Sequence, residues 1–222
     1  MPIEGVLAII AAYLVGSVPV AYIAGRLAKG VDVRERGSGN VGGANVWETV
    51  SRRTGVLVVF SDIAKGVVAI LIAQAVGLDL PLQVGAGLAA IVGHNWSPFL
   101  HFSGGRGVGA SLGVLIMLAP WGLAIFLVAA LVGLLLKALP VGTGAGFAIL
   151  PLASWLLEGP TQITSTPITL CCLGMLLLII TRRLSVNRGA IASSGSRKQV
   201  LLNRLLFDRD LRDREAWIHK ST

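Results

Sequence analysis

Apolar residues run in long blocks along this chain instead of alternating with polar ones, and seven blocks are long enough to read as helices. Their approximate limits are 4–26, 55–78, 82–97, 106–119, 121–137, 141–158 and 163–181. Crossing the hydrocarbon core of a bilayer takes roughly 20 mainly apolar residues. The pattern therefore predicts an all-α, polytopic membrane protein with seven transmembrane helices. The third and fourth blocks are short and glycine-rich, a composition that lets membrane helices approach closely. Gly105, Gly109 and Gly113 recur every fourth residue there, as a packing stripe would. By this reading residues 1–181 are a membrane domain and 182–222 a basic cytoplasmic tail.

Composition supports the same class. Of the 222 residues 54% are hydrophobic and 14% charged, whereas an ordinary soluble domain has about 25% charged residues. A disulfide-framed extracellular scaffold, a disordered chain and a soluble enzyme on a small anchor are excluded. The only two cysteines, Cys171 and Cys172, are adjacent and lie within an apolar block, which suits packing better than a disulfide or a metal site. The start, Met1-Pro2-Ile3-Glu4, lacks the basic residues of a signal peptide, so the first block is expected to be a retained helix.

The net charge of +8 gains meaning from its placement. If all seven blocks cross, Lys and Arg fall in the loops after the first, third and fifth blocks and in the tail. The other loops and the N-terminus hold only Glu4, Asp79 and Glu158. The positive-inside rule then sets the N-terminus outside and the C-terminus in the cytoplasm. In the tail, Gly189–Ser196 reads as flexible. Val200, Leu201, Leu205 and Phe207 among charges suggest an interfacial helix attracted to anionic lipid headgroups. Nothing in the tail resembles a nucleic-acid-reading module.

Candidate chemistry gathers on that same membrane face. The first loop runs Asp32-Val33-Arg34-Glu35-Arg36-Gly37-Ser38-Gly39-Asn40-Val41-Gly42-Gly43-Ala44-Asn45. Glycines that admit positive φ let successive amides converge on an anion, although a merely flexible connection is the alternative. In the second block Asp62 and Lys65 stand three residues apart, either as a structural ion pair or as substrate ligands. A third stretch, from Gly93-His94-Asn95 to Gly104-Gly105-Arg106-Gly107, opens onto a helix N-terminus, where free N–H groups and a forked arginine suit phosphate. The loop lacks the ending of a Walker motif. His94 fits a base or phosphate donor and equally a structural histidine.

These residues resemble the bacterial acyl-phosphate:glycerol-3-phosphate acyltransferase family. The matching stretches are Gly16-Ser17-Val18-Pro19, Asp32-Val33-Arg34, Gly37 through Gly42, Asn45-Val46, Asp62 with Lys65-Gly66, and Gly93-His94. They continue through Pro98-Phe99-Leu100, Phe102, Gly104-Gly105, Gly107-Val108 and Ser111-Leu112-Gly113, so that roughly residues 8–113 match in order and spacing. The resemblance implies a multi-pass enzyme of the bacterial inner membrane, making lysophosphatidic acid on its cytoplasmic side from acyl phosphate and glycerol 3-phosphate. It implies catalytic roles for Ser38, Asn40, His94 and Arg106. Substrate binding would fall to Arg34, Gly37, Gly39, Asn45, Lys65, Gly104, Gly105 and Gly107. The residues themselves display no metal cluster and no Ser-His-Asp triad, so neither a metal nor an organic cofactor is expected.

The chain also departs from the family pattern. Glu48 stands where an arginine is usual, Ser103 and Arg106 where lysines are usual, and Ala44 where a threonine is usual. The usual histidine–asparagine pair of the tail is out of register around Asn203. These departures raise the alternative of a diverged, non-catalytic member that binds phospholipid precursors or a membrane partner. A small transporter, suggested by Asp62 and Lys65 alone, lacks the internal repeat of many transporter folds.

Overall fold

The computed structural model describes residues 2–158, 165–185 and 196–209. All seven apolar blocks are helical. The first is split into α1 (Ile3–Ser17) and α2 (Val20–Lys29), and the next three are α4 (Arg52–Ala75), α5 (Leu80–Asn95) and α6 (Val108–Leu118). The last three are α7 (Pro120–Leu135), α8 (Leu139–Glu158) and α9 (Ser165–Ser185). Among the described residues two further α-helices lie between and after them: α3 (Gly43–Thr49) in the first loop and α10 (Arg197–Phe207) in the tail. The stretch read as flexible lies, except for Ser196, outside the described residues.

Among the described residues, four helical stretches are long and apolar enough to cross a membrane: Ile3–Lys29, Arg52–Ala75, Leu139–Leu157 and Thr166–Ser185. Of the remaining apolar blocks the shortest helix, α6, rises only about 17 Å at 1.5 Å per residue, against a hydrocarbon core of about 30 Å.

Because lipid tails are as apolar as leucine, helices in a membrane associate through close packing more than through hydrophobic burial. The small residues supply it. Ala8, Ala12 and Gly16 form a stripe at every fourth residue of α1 and are buried, as are Ala86, Ala90 and Gly93 on α5. Helices α4 and α6 touch just as closely. A Cβ on Gly66 would collide with the Ala110 carbonyl, and one on Gly113 with the Ile63 carbonyl. Behind this contact Ile70, Ile91, Val114, Phe147, Leu150 and Met175 build the main core, with Cys171 and Cys172 inside it. Leu127, Val128, Leu131, Leu134 and Leu135 of α7 face outward, an apolar exterior that suits lipid.

The break after α1 positions the site. Pro19, at the N-cap of α2, has no N–H to continue the helix. The freed Ser17 carbonyl accepts the Ser97 hydroxyl at 2.6 Å, and Tyr13 Oη donates to the Trp96 carbonyl at 3.1 Å. These bonds tie the end of α1 to the end of α5. Helix α2 then turns away and delivers Tyr22 and Arg26 to the first loop.

Candidate functional site

The first loop is organised by two side chains. Arg34 Nε and Nη2 donate to the Asp32 carboxylate at 3.0 and 2.7 Å, and Arg26 Nη2 adds a bond of 3.3 Å. Hydrogen bonding from Arg34 holds the Asp32 carboxyl below the usual carboxylate range, and the same pairing raises the Arg34 guanidinium above its ordinary value. Asn45, on α3 and buried, does the rest. Its Nδ2 faces the carbonyls of Val33, Asn40 and Arg36 at 2.7, 3.0 and 3.1 Å, while its Oδ1 accepts the Ser38 N–H at 3.0 Å. The loop closes around this amide. Gly37 and Gly39 take the positive φ expected of them, +56° and +66°. Asn40 N approaches Ser38 Oγ at 3.4 Å.

The second loop folds back on the end of α5. Gly104 and Gly105 donate their N–H groups to the carbonyls of Asn95 and His94 at 3.1 and 3.0 Å. Gly105 lies so near the imidazole that a Cβ there would meet His94 Nε2. Gly107, φ +78°, is the N-cap of α6. Under this turn Lys65 Nζ donates to Asp62 Oδ1 at 2.7 Å, and His94 Nδ1 lies 3.4 Å from the same oxygen. All three side chains are buried. Of the two readings of Asp62 and Lys65, the ion pair is the one the geometry displays, enlarged by His94.

The tail reaches this place too. Arg182 of α9 donates from Nε to the Gly105 carbonyl at 2.9 Å and from Nη2 to the Gly104 carbonyl at 2.7 Å. Arg183 donates to the carbonyls of Leu205 and Pro140 at 2.7 and 2.9 Å, joining α8, α9 and α10. Arg204 Nη1 donates to the Leu184 carbonyl at 3.1 Å. Counted from sequence, these three arginines are charges for lipid headgroups; the structure turns them inward, because the last turns of α9 and α10 and the Gly104–Gly105 turn present carbonyls without helical partners. Helix α10 is also not a free interfacial helix, since Val200, Asn203 and Arg204 are buried. Just past it, Asp208 accepts Arg106 Nε on its carboxylate and Arg106 Nη2 on its carbonyl at 3.3 Å.

Two clefts flank Arg106, whose Nη1 donates to Asn40 Oδ1 at 3.3 Å. The first, about 370 Å³ and mainly polar, is lined by Arg34, Gly37, Ser38, Gly39, Asn40, Ser103, Gly104, Arg106 and Arg182 among others. The second, about 270 Å³ and more apolar, runs from Asn40, His94 and Arg106 to Val59, Leu112 and Leu139. Most sequence-read site residues therefore meet. Asn45 and Lys65 border neither cleft: Asn45 stands behind the first loop, and Lys65 lies beside a void of about 10 Å³. Gly105 and Gly107 shape the turn from behind. Glu48, exposed on α3, also borders neither cleft. Sequence reasoning missed Arg182, Arg183 and Asp208 as parts of the site. The Arg182-Arg183 pair ending an apolar block was the only local signal.

This arrangement can hold an anion against a glycine turn while an apolar tail leaves along the second cleft. Comparison with known proteins agrees. The chain is 41% identical over 214 residues to glycerol-3-phosphate acyltransferase 5 of Dehalococcoides mccartyi, covering 96% of this chain and 92% of the relative. It is 51% identical over 120 residues to glycerol-3-phosphate acyltransferase 2 of Moorella thermoacetica, covering 54% of this chain and 60% of the relative. Among solved structures it resembles PlsY (YgiH), an integral membrane glycerol 3-phosphate acyltransferase. The glycerol 3-phosphate form aligns with a TM-score of 0.71 at 31% identity, over 81% of this chain and 88% of that one. The lysophosphatidic acid form aligns at 0.73 and 28%, over 97% and 98%. The glycerol-3-phosphate acyltransferase family matches residues 6–191, and this chain is a member of that family of integral membrane enzymes.

Proposed function

We propose that this acyltransferase takes its acyl group from an acyl phosphate and places it on the 1-hydroxyl of glycerol 3-phosphate. The hydroxyl oxygen attacks the acyl carbonyl carbon, the bond from that carbon to the phosphate oxygen breaks, and inorganic phosphate leaves with the electron pair. The hydroxyl proton passes to a phosphate oxygen. An acyl phosphate is already activated, so positioning and charge stabilisation supply most of what the protein must add. Arg106 holds phosphate beside the Gly104–Gly107 turn, which shapes the pocket because its Gly104 and Gly105 N–H groups are engaged by the Asn95 and His94 carbonyls, with Arg34, Gly37 and Gly39 across the cleft. Ser38 and Asn40 orient the reacting groups, and His94 borders the cleft that receives the acyl end. Asn45 and Lys65 act on substrate indirectly, Asn45 by shaping the loop and Lys65 by neutralising Asp62.

The observation that carries this reading is the convergence of two glycine loops, about 65 residues apart in sequence, on one arginine between a polar and an apolar cleft. The topology proposed with it has seven crossings, an outside N-terminus, and a cytoplasmic site in the bacterial inner membrane, with 1–181 as the membrane domain and 182–222 as the basic tail. It is supported by the meeting of four chain segments that parity assigns to one face: the first loop, the turn before α6, the start of α8 and the end of α9. The short α5, α6 and α7 then cross with the help of their neighbours.

Purified protein in lipid, given acyl phosphate and labelled glycerol 3-phosphate, tests the proposal. Lysophosphatidate release is expected, and Ser38→Ala and Arg106→Ala are each expected to lower kcat/KM by about 100-fold or more. Turnover with an acyl thioester but not acyl phosphate would refute the proposed donor.

A further inference from the structure

We propose that Arg182 is a phosphate-binding residue of this site, which at the same time positions the Gly104–Arg106 turn. The proposal rests on the phosphate-substrate reading above. Arg182 comes from the cytoplasmic end of α9, not from either glycine loop, yet it lines the same polar cleft as Ser38, Asn40 and Arg106. Its side chain is 8% exposed as a residue and stacks 6.0 Å from the Trp96 ring.

Charge balance singles it out. Arg34 faces the Asp32 carboxylate and Arg106 faces Asp208, so both are neutralised in place. Among the described residues Arg182 hydrogen-bonds to the carbonyls of Gly104 and Gly105 and lies over the Trp96 ring, while no carboxylate is within ion-pair distance of it and Asp208 acts on it only from further off. Burying an uncompensated guanidinium is expensive, and such a charge persists where it has an anion to meet. Two of an arginine's five N–H donors are engaged by the carbonyls, which leaves three for a ligand. The two engaged donors fix the fork's plane, so the remaining ones are presented without further ordering. A phosphate that met Arg182 would also meet the turn that Arg182 holds, since the same cleft is lined by Gly104 and Arg106.

Two phosphates pass through the reaction, and the experiment separates them. Full-length enzyme is compared as wild type, Arg182→Gln and Arg182→Lys, with KM measured separately for glycerol 3-phosphate and for acyl phosphate. Inorganic phosphate and glycerol 3-phosphate binding are also followed by calorimetry without turnover. Arg182→Gln is expected to raise one KM by about ten-fold or more, with a smaller fall in kcat. Lysine, which keeps the charge but not the fork, is expected to recover part of the loss. A rise confined to one substrate supports the proposal and names the phosphate that Arg182 holds. Unchanged KM values and unchanged binding, with only kcat or thermal stability reduced, overturn it in favour of a purely structural clamp. If the glutamine variant does not fold, the lysine variant decides by the same criteria. If the wild type shows no turnover, the function proposed above fails, while the calorimetric comparison still decides whether Arg182 binds phosphate.

Discussion

Asn45 and Asp32 both act on the first loop from behind, but through different physics. With a single buried amide Asn45 accepts one backbone N–H and shares its two N–H donors among three carbonyls. Leaving such groups unpaired costs about 1–3 kcal/mol each. Asn45→Leu is therefore expected to lower the unfolding midpoint and reduce kcat/KM at least about 100-fold, read by thermal unfolding in detergent and by steady-state assay. Asp32 acts through charge. Its carboxyl titrates lower in the fold than in the unfolded chain, where the value is about 3.9. Its contribution is thus complete above that value and disappears as pH falls through the lower folded value. Proteolysis of the 31–41 loop is expected to rise on acidification below about pH 4. Asp32→Asn is expected to expose the loop at neutral pH and flatten the acid response. The residue types of this loop were legible in the sequence because glycine, serine and asparagine cannot form an apolar core. Which asparagine lines the clefts and which faces backbone was not, since Asn40 and Asn45 have the same chemistry and differ only in direction.

Helices were easier to read than their joints. Apolar blocks declare themselves because a bilayer demands satisfied backbone and apolar side chains together. The glycine stripe was also legible as packing, and Gly113 meets the backbone of α4 where that stripe predicts contact. Gly113→Leu is expected to separate α4 from α6 and lower the thermal midpoint by several degrees or prevent folding, with overpacking costing about 1–3 kcal/mol or more. The division of the first block at Val18–Pro19 was missed because hydropathy averages across it. What makes the break tolerable is the Ser97 hydroxyl, a partner 80 residues away in sequence. Ser97→Ala is expected to weaken that joint, seen as faster amide exchange at Ser17, Val18 and Val20.

At the scale of the molecule, the site is closed by contacts that no local pattern announces: Arg182 lies 77 positions from Gly105, and Asp208 lies 102 from Arg106. Asp208 sets a carboxylate where a phosphate is expected to bind. Replacing it with alanine is expected to lower the KM for glycerol 3-phosphate several-fold, because two anions no longer compete for one guanidinium. The same long separation bears on how the protein is made. A nascent chain that holds only its first six apolar blocks already carries both glycine loops, but neither Arg182, which clamps the second, nor Asp208, which pairs with Arg106. Catalytic competence is therefore expected to wait until α9 and α10 have left the ribosome and docked. A stalled or prematurely released chain would occupy the bilayer without drawing on the cell's acyl donors.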